Sequence, residues 1–265
     1  MLAGMSFPAE RKLAAAIEAP MGPGMRRPDT RVIAREGWYQ VVTPSAPGAV
    51  LNEIALSQVA PEEAERVIDE AIATYRAHRL PVKWCVGPWT RPEGFGEMLA
   101  RRGFRGSDVR GMGIDTSARI DVPDGVHVEE IDDEVGIDGF VATAMRGWAL
   151  PEEQMATERD VHAAALAASP RVTHLFAARV AGELVGTAGL FLRGDYAYLL
   201  AGQVLEHARG RGAYRALVAA RLGFLHARSV DYAVTHAREA TSAPMLAHLG
   251  FETLFRSKCY VLGTT

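Results

Sequence analysis

The sequence predicts an α/β (α+β) chain of two mixed, mostly antiparallel sheets flanked by helices and set in tandem. Three observations lead there. β-rich apolar runs alternate with helical patterns along most of the chain. The turns Ala181-Gly182-Glu183 and Arg193-Gly194-Asp195 separate apolar runs in the manner of hairpins. Finally, Ala100-Arg101-Arg102-Gly103-Phe104 returns as Ala247-His248-Leu249-Gly250-Phe251. Both copies fall at the same point of a strand–helix–strand–helix–strand order, an internal repeat of about 140 residues.

In chain order, Arg11 to Pro20 is expected to form a short helix, followed by a Gly/Pro linker to Pro28. Strands follow at 31–33, 38–42 and 50–59. Pro61-Glu62-Glu63 then announces a helix ending near His78. A strand at 82–86, a helix at 92–102 and a strand reaching Ile114 complete the first block. Ser117 to Gly125, with Pro123, is expected to be a linker. The second block has helical patterns at 132–145 and 151–168, then strands at 173–180, 185–192 and 196–205. A helix at 214–228, a strand at 231–236, a helix at 242–249 and a strand at 251–262 close it. The expected divisions are 1–29 (helix and linker), 30–118 and 119–265.

Composition narrows the function. The chain has 265 residues, 48% hydrophobic and 23% charged, which is ordinary for a folded protein with a sizeable core. Its net charge of −3 gives no sign of a nucleic-acid or anionic-membrane partner. The cationic side chains are almost all arginine, which suits bidentate phosphate contacts. Cys85 and Cys259 lie far apart with no metal-binding or redox spacing, so they are expected to be reduced core thiols. No run of 18 apolar residues is present, the N-terminal apolar run is interrupted by Glu18, and a cytoplasmic location is expected. No HExxH motif or carboxylate cluster suggests a metal.

The chemistry concentrates in one segment, Val204 to Leu217, which follows a strand and opens a helix. Gly210 and Gly212 allow close backbone approach and positive φ, so that successive N–H groups can line one concavity. The helix start behind them contributes about half a positive charge, and Arg209 and Arg211 add full charges at the rim. Together they form a seat for a pyrophosphate. The lysine of a nucleotide P-loop is missing, and position 215 is Arg where a dinucleotide fingerprint needs Gly. The bland alternative is a charged turn capping a surface helix.

Arg209-x-x-Gly212-x-Tyr214 after an apolar strand resembles the (Gln/Arg)-x-x-Gly-x-(Gly/Ala) signature of the GNAT acyltransferase superfamily. Ser242-x-x-Met245-Leu246-x-x-Leu249-Gly250-Phe251 resembles its second signature, usually Ala-x-x-Leu-Tyr-x-x-Leu-Gly-Phe. The element order over Val126 to Leu262 also matches, and the first block resembles a degenerate copy. The whole chain is thus similar to a tandem GNAT protein with a degenerate N-terminal half.

The resemblance implies an N-acyltransferase that moves an acyl group, acetyl foremost, directly from acyl-CoA to the amine of a small molecule. Cofactor contacts would come from Arg209, Gly210, Arg211, Gly212, Ala213 and Tyr214. A backbone N–H from Gln203-Val204-Leu205 would meet the developing oxyanion. Three positions depart from the family pattern. Tyr214 replaces Gly or Ala and is expected to crowd the phosphates. Glu239 takes the place of the asparagine that faces the pantetheine arm, and Leu246 that of the tyrosine that protonates the leaving thiolate. In the first block, Val59 to Ala64 has no glycine and two carboxylates at the helix start, so no cofactor is expected there. Gly212→Glu is expected to abolish cofactor binding without unfolding the chain.

The catalytic candidates are Tyr198, at the position of a family glutamate, and His236 at the end of the next strand, which titrates in the right range. The alternatives are a packed strand aromatic and a loop-edge hydrogen-bond donor. His174 is expected to be a satisfied core histidine, Glu206 and His207 a solvated rim, and Trp148 either a core or lid aromatic or part of the acceptor wall. A CoA-binding regulatory or scaffolding protein without catalysis remains the other functional class.

Overall fold

The computed structural model describes residues 7–22, 24 and 26–264. In chain order the elements are α1 (Ala9–Glu18), β1 (Arg31–Arg35), β2 (Trp38–Val42), β3 (Glu53–Ser57), α2 (Ala64–Ala77), β4 (Val82–Val86), α3 (Phe95–Arg101), β5 (Arg105–Asp115) and β6 (Val126–Ile131). They continue as α4 (Glu134–Trp148), α5 (Met155–Ala167), β7 (Thr173–Val180), β8 (Glu183–Leu192), β9 (Tyr196–Val204), α6 (Ala213–His226), β10 (Tyr232–Arg238), α7 (Ser242–His248) and β11 (Glu252–Leu262). No described helix is long and apolar enough to cross a membrane.

Two compact units emerge, and neither is continuous in sequence. One comprises 26–111, 237–245 and 253–265; the other comprises 1–25, 112–236 and 246–252. The divisions read from sequence follow the chain, whereas these units interleave, because each takes its closing strand from the other half. In the first, the strand order is β1-β2-β3-β4-β11, with β11 antiparallel to β4. In the second it is β5-β10-β9-β8-β7-β6, the C-terminal part of β5 lying beside β10. Each is an open mixed sheet flanked by helices.

An apolar core of the first unit lies on the face that α2 and α3 cover. Trp84 is wholly buried at its centre, edge-on to Trp38 and Phe104 and tilted against Phe95. Val67, Ile68, Ala71 and Ile72, spaced to fall on one helix face, supply the α2 side. The three aromatic contacts of Trp84 bury large apolar areas and supply much of the unit's cohesion.

In the second unit, α4 and α5 cover one face of the sheet and α6 the other. Ile137, Phe140, Val141 and Met145 of α4 pack on Leu175 and Ala177 of β7. The next residues along, His174 and Phe176, meet Phe224 of α6 on the opposite face, as strand alternation requires. The expected N-terminal helix is α1, and it is part of this unit. Phe7 stacks on Tyr232 with ring centroids 4.8 Å apart, Ala15 and Ala16 are wholly buried, and Arg11 and Lys12 lie over Tyr196 and Tyr232. An Ala-rich helix suits this, since small side chains let the helix axis approach the strand aromatics.

Candidate active site

The site begins with a defect in β9. Gly186, Thr187 and Gly189 of β8 pair with Val204, Gln203 and Leu200, so Ala201 and Gly202 together oppose Ala188. This is a β-bulge, and Ala201 carries it at φ 51°, a left-handed conformation that costs a non-glycine residue about 1–2 kcal/mol. Before the bulge, β9 has already lost its other neighbour. It pairs in parallel with β10 only over Tyr196–Tyr198 and Tyr232–Val234, so the two strands part before either ends. Backbone groups on that side of β9 then lack a ladder partner, which is the condition for binding something else there.

Of the three residues expected to offer an N–H, Leu205 donates to the Val185 carbonyl at 2.8 Å. Because N–H directions alternate along a strand, Gln203 also points toward β8 and Val204 toward the parting side. The Gln203 side chain is buried against the other face: its amide donates to the Thr187 hydroxyl at 3.0 Å and the Thr143 carbonyl at 3.3 Å. It packs so closely under α4 that a Cβ on Gly147 would come within 1.9 Å of it. Its Oε1 is buried and takes no hydrogen bond.

A single 3-10 turn, Glu206–Ala208, leads from β9 into the glycine loop. Gly210 and Gly212 adopt φ 77° and 85°, the positive values that their position in the motif anticipates. Among the described residues, no protein acceptor takes the N–H groups of Gly210 through Arg215, whereas Ala216 already donates to Gly212. Arg209 and Arg211 are exposed beside them and Ala213 is buried beneath. These open amides and two guanidinium groups at a helix start have the donor set that a pyrophosphate needs.

Two expectations about this loop change. The Tyr214 ring does not stand over it: a Cβ on Gly202 would lie 3.0 Å from the ring, so the tyrosine packs inward on the bulge. Burial there raises its phenol above the ordinary range. Gly212, for its part, is hemmed in by the 117–125 segment, since a Cβ would meet Pro123 at 2.5 Å. Gly212→Glu would therefore strain the fold as well as the phosphate seat, and cannot isolate binding from folding.

The structure brings Tyr198 and His236 together. Tyr198 Oη lies 3.1 Å from His236 Nδ1, both side chains half-buried where β9 and β10 part. Phe191 is the next aromatic, its ring 6.5 Å from Tyr198, and Gly24 of the N-terminal segment rests against it. The Arg193 guanidinium holds that segment by donating to the Ala19 carbonyl at 3.0 Å. Ala19 and Gly24 are thus held beside Arg193 and Phe191, near the Tyr198 site, a placement that the Gly/Pro content of the segment did not signal.

The remaining candidates fall out as follows. Leu246 is buried, so no acid stands at that position. The Glu239 carboxylate accepts two bonds from Arg110, one of them 2.6 Å, and this guanidinium holds it below the usual carboxylate range. His174 is not a fully satisfied core histidine: Nδ1 meets Glu130 at 2.7 Å, but Nε2 is buried without a partner. His207 is exposed and pairs with Glu183 at 3.1 Å, and Trp148 is 42% exposed at the end of α4. Among the described residues no three His, Cys, Asp or Glu side chains are grouped to hold a metal.

No family profile and no curated protein matches the sequence. Solved structures do match along its whole length. A GCN5-related N-acetyltransferase from Kribbella flavida superposes with a TM-score of 0.65 at 13% identity, over 97% of this chain and 96% of its own. One from Sphaerobacter thermophilus gives 0.61 at 16%, over 96% and 91%. A tandem GNAT protein from the clavulanic acid biosynthesis pathway gives 0.55 at 15%, over 98% and 97%. The chain has the fold of the GCN5-related N-acetyltransferases.

Proposed function

We propose that the protein is an acyl-CoA-dependent N-acyltransferase, acetyl-CoA foremost, which moves the acyl group directly to the amine of a small molecule. The observation that carries this is the succession along one stretch of chain of the parting of β9 and β10 after Tyr198, the bulge at Ala201 and Gly202, and the open amides of Gly210–Tyr214. Arg209, Arg211 and those amides would hold the pyrophosphate, and Val204 would offer the backbone N–H toward the thioester carbonyl.

The acceptor arrives as an ammonium ion and must lose a proton before it attacks. His236 takes that proton, and Tyr198, sharing a hydrogen bond with His236 Nδ1, is placed to return one to the departing sulfur. That pairing supplies the acid that Leu246 cannot. Phe191, with Gly24 against it, would narrow the acceptor side, which favours a small amine. The buried Leu246 also favours a second reading, a CoA-binding scaffold without catalysis. Incubating the protein with acetyl-CoA and a panel of amines separates the two: acylated product supports the enzyme, whereas CoA binding with no turnover on any amine supports the scaffold.

A further inference from the structure

Cys85 and Cys259 are 174 residues apart in sequence and face each other across the β4–β11 ladder as direct register partners. Their Sγ atoms are 3.6 Å apart, in van der Waals contact, and both residues are half-buried. Residues directly opposite in an antiparallel pair have Cα atoms about 4.5–5.5 Å apart, inside the range that a disulfide spans. A small rotation at each Cβ therefore closes the bond without moving the backbone. The surroundings separate the two thiols: the contact with Cys259 and burial push Cys85 up, whereas Cys259 is the one poised to ionise. Lys83 lies two residues before Cys85 on the same strand face, ion-paired with Glu53 of β3. The contact with Cys85 and the Lys83 ammonium hold the Cys259 thiol below its ordinary range.

We propose that Cys85 and Cys259 form a reversible redox site, a dithiol that a hydroperoxide converts into a cross-strand disulfide tying β11 to β4. In the first step the Cys259 thiolate attacks a peroxide oxygen. An S–O bond forms, the O–O bond breaks, and the hydroxide released takes a proton to become water. In the second, the Cys85 thiol sulfur attacks the Cys259 sulfenic sulfur, and its proton passes to the departing hydroxide. The S–S bond forms, the S–O bond breaks, and a second hydroxide leaves as water. Two thiols are oxidised by two electrons and one hydrogen peroxide is reduced to two waters.

The site has a structural consequence of its own. β11 is the strand that the second half of the chain lends to the first unit, and only hydrogen bonds and packing hold it on β4. A disulfide makes that attachment covalent and closes a very long loop, which constrains the unfolded chain most. The inference rests on the β4–β11 ladder alone and stands or falls independently of acyl transfer.

The test uses the full chain, reduced and then treated with hydrogen peroxide. The expected result is loss of both free thiols under denaturing conditions and a mass lower by two hydrogens. A peptide map should join the segments holding residues 85 and 259, with full reversal by a thiol reductant and a higher thermal midpoint for the oxidised form. Cys85→Ser and Cys259→Ser should each abolish the cross-link. Thiols that stay reduced where free glutathione is oxidised, direct passage to sulfinic acid, or cross-links only between separate chains would each overturn the proposal.

Discussion

The two halves of this chain each carry a strand, a turn and a helix start, and the two starts have opposite electrostatics. Before α2 the turn is Pro61–Glu63, with Glu62 and Glu63 in the first turn and Glu63 paired with Arg66 at 2.7 Å. Before α6 it is Arg209 to Gly212, with two glycines at positive φ, two exposed guanidinium groups and no acid in the first turn. The helix dipole is the same at both places. At α2 it is answered by the protein's own carboxylates, and at α6 it is left for something anionic from outside. The same architectural element is thus a closed structural end in one unit and an open end, the proposed pyrophosphate seat, in the other.

The largest effect expected on the open side concerns the pair where β9 and β10 part. His236→Ala should lower turnover by roughly 10²–10⁴-fold and remove the acidic limb of the pH–rate profile, the measure of lost general-base catalysis. Tyr198→Phe should cost less, mainly at high pH. Near-normal turnover with an unshifted acidic limb in His236→Ala would move proton removal to water.

Next in size is the loop itself. Arg209→Ala with Arg211→Ala should weaken CoA binding by about tenfold per arginine, about 1.4 kcal/mol each, with a thermal midpoint close to the parent's. Calorimetry at two salt concentrations checks this, because a phosphate contact weakens with ionic strength. On the closed side, Glu62→Gln with Glu63→Gln should leave the number of CoA sites unchanged, since the glycines are still missing.

Smaller effects bear on stability. Gly212→Ala should cost at least about 1–2 kcal/mol for left-handed backbone strain, before the contact with Pro123 is added, read as a lower denaturation midpoint. Burial lowers the pKa of both His162 and His174. Each then binds its proton more readily in the unfolded chain, so stability is full above the unfolded value near 6.5 and is lost as pH falls below it. Denaturant midpoints at pH 7.5 and pH 5.5 should show the drop, and His162→Gln should reduce it.

Much of this was legible locally. The strands at 82–86 and 173–180 and the glycine loop announce themselves by short-range pattern, which is where hydrophobic periodicity and turn chemistry are strongest. β6 was not, because Val126-His127-Val128-Glu129-Glu130-Ile131 is half polar and follows a linker that conceals its start. The exchange of β5 and β11 leaves no local trace, since a strand's own residues do not name its neighbour. For the same reason Cys85 and Cys259 looked like isolated core thiols until the ladder set them face to face. Tyr198 and His236 were each visible as candidates, but their 3.1 Å contact depends on the parallel register of β9 and β10. The packing of α1 on Tyr196 and Tyr232 likewise belongs to tertiary structure.

Isothermal titration with CoA tests the contrast between the two helix starts most directly. The account predicts one site per chain, weakened when Arg209 and Arg211 are replaced and untouched when Glu62 and Glu63 are. Two sites per chain, no binding at all, or a single site indifferent to the two arginines would contradict it.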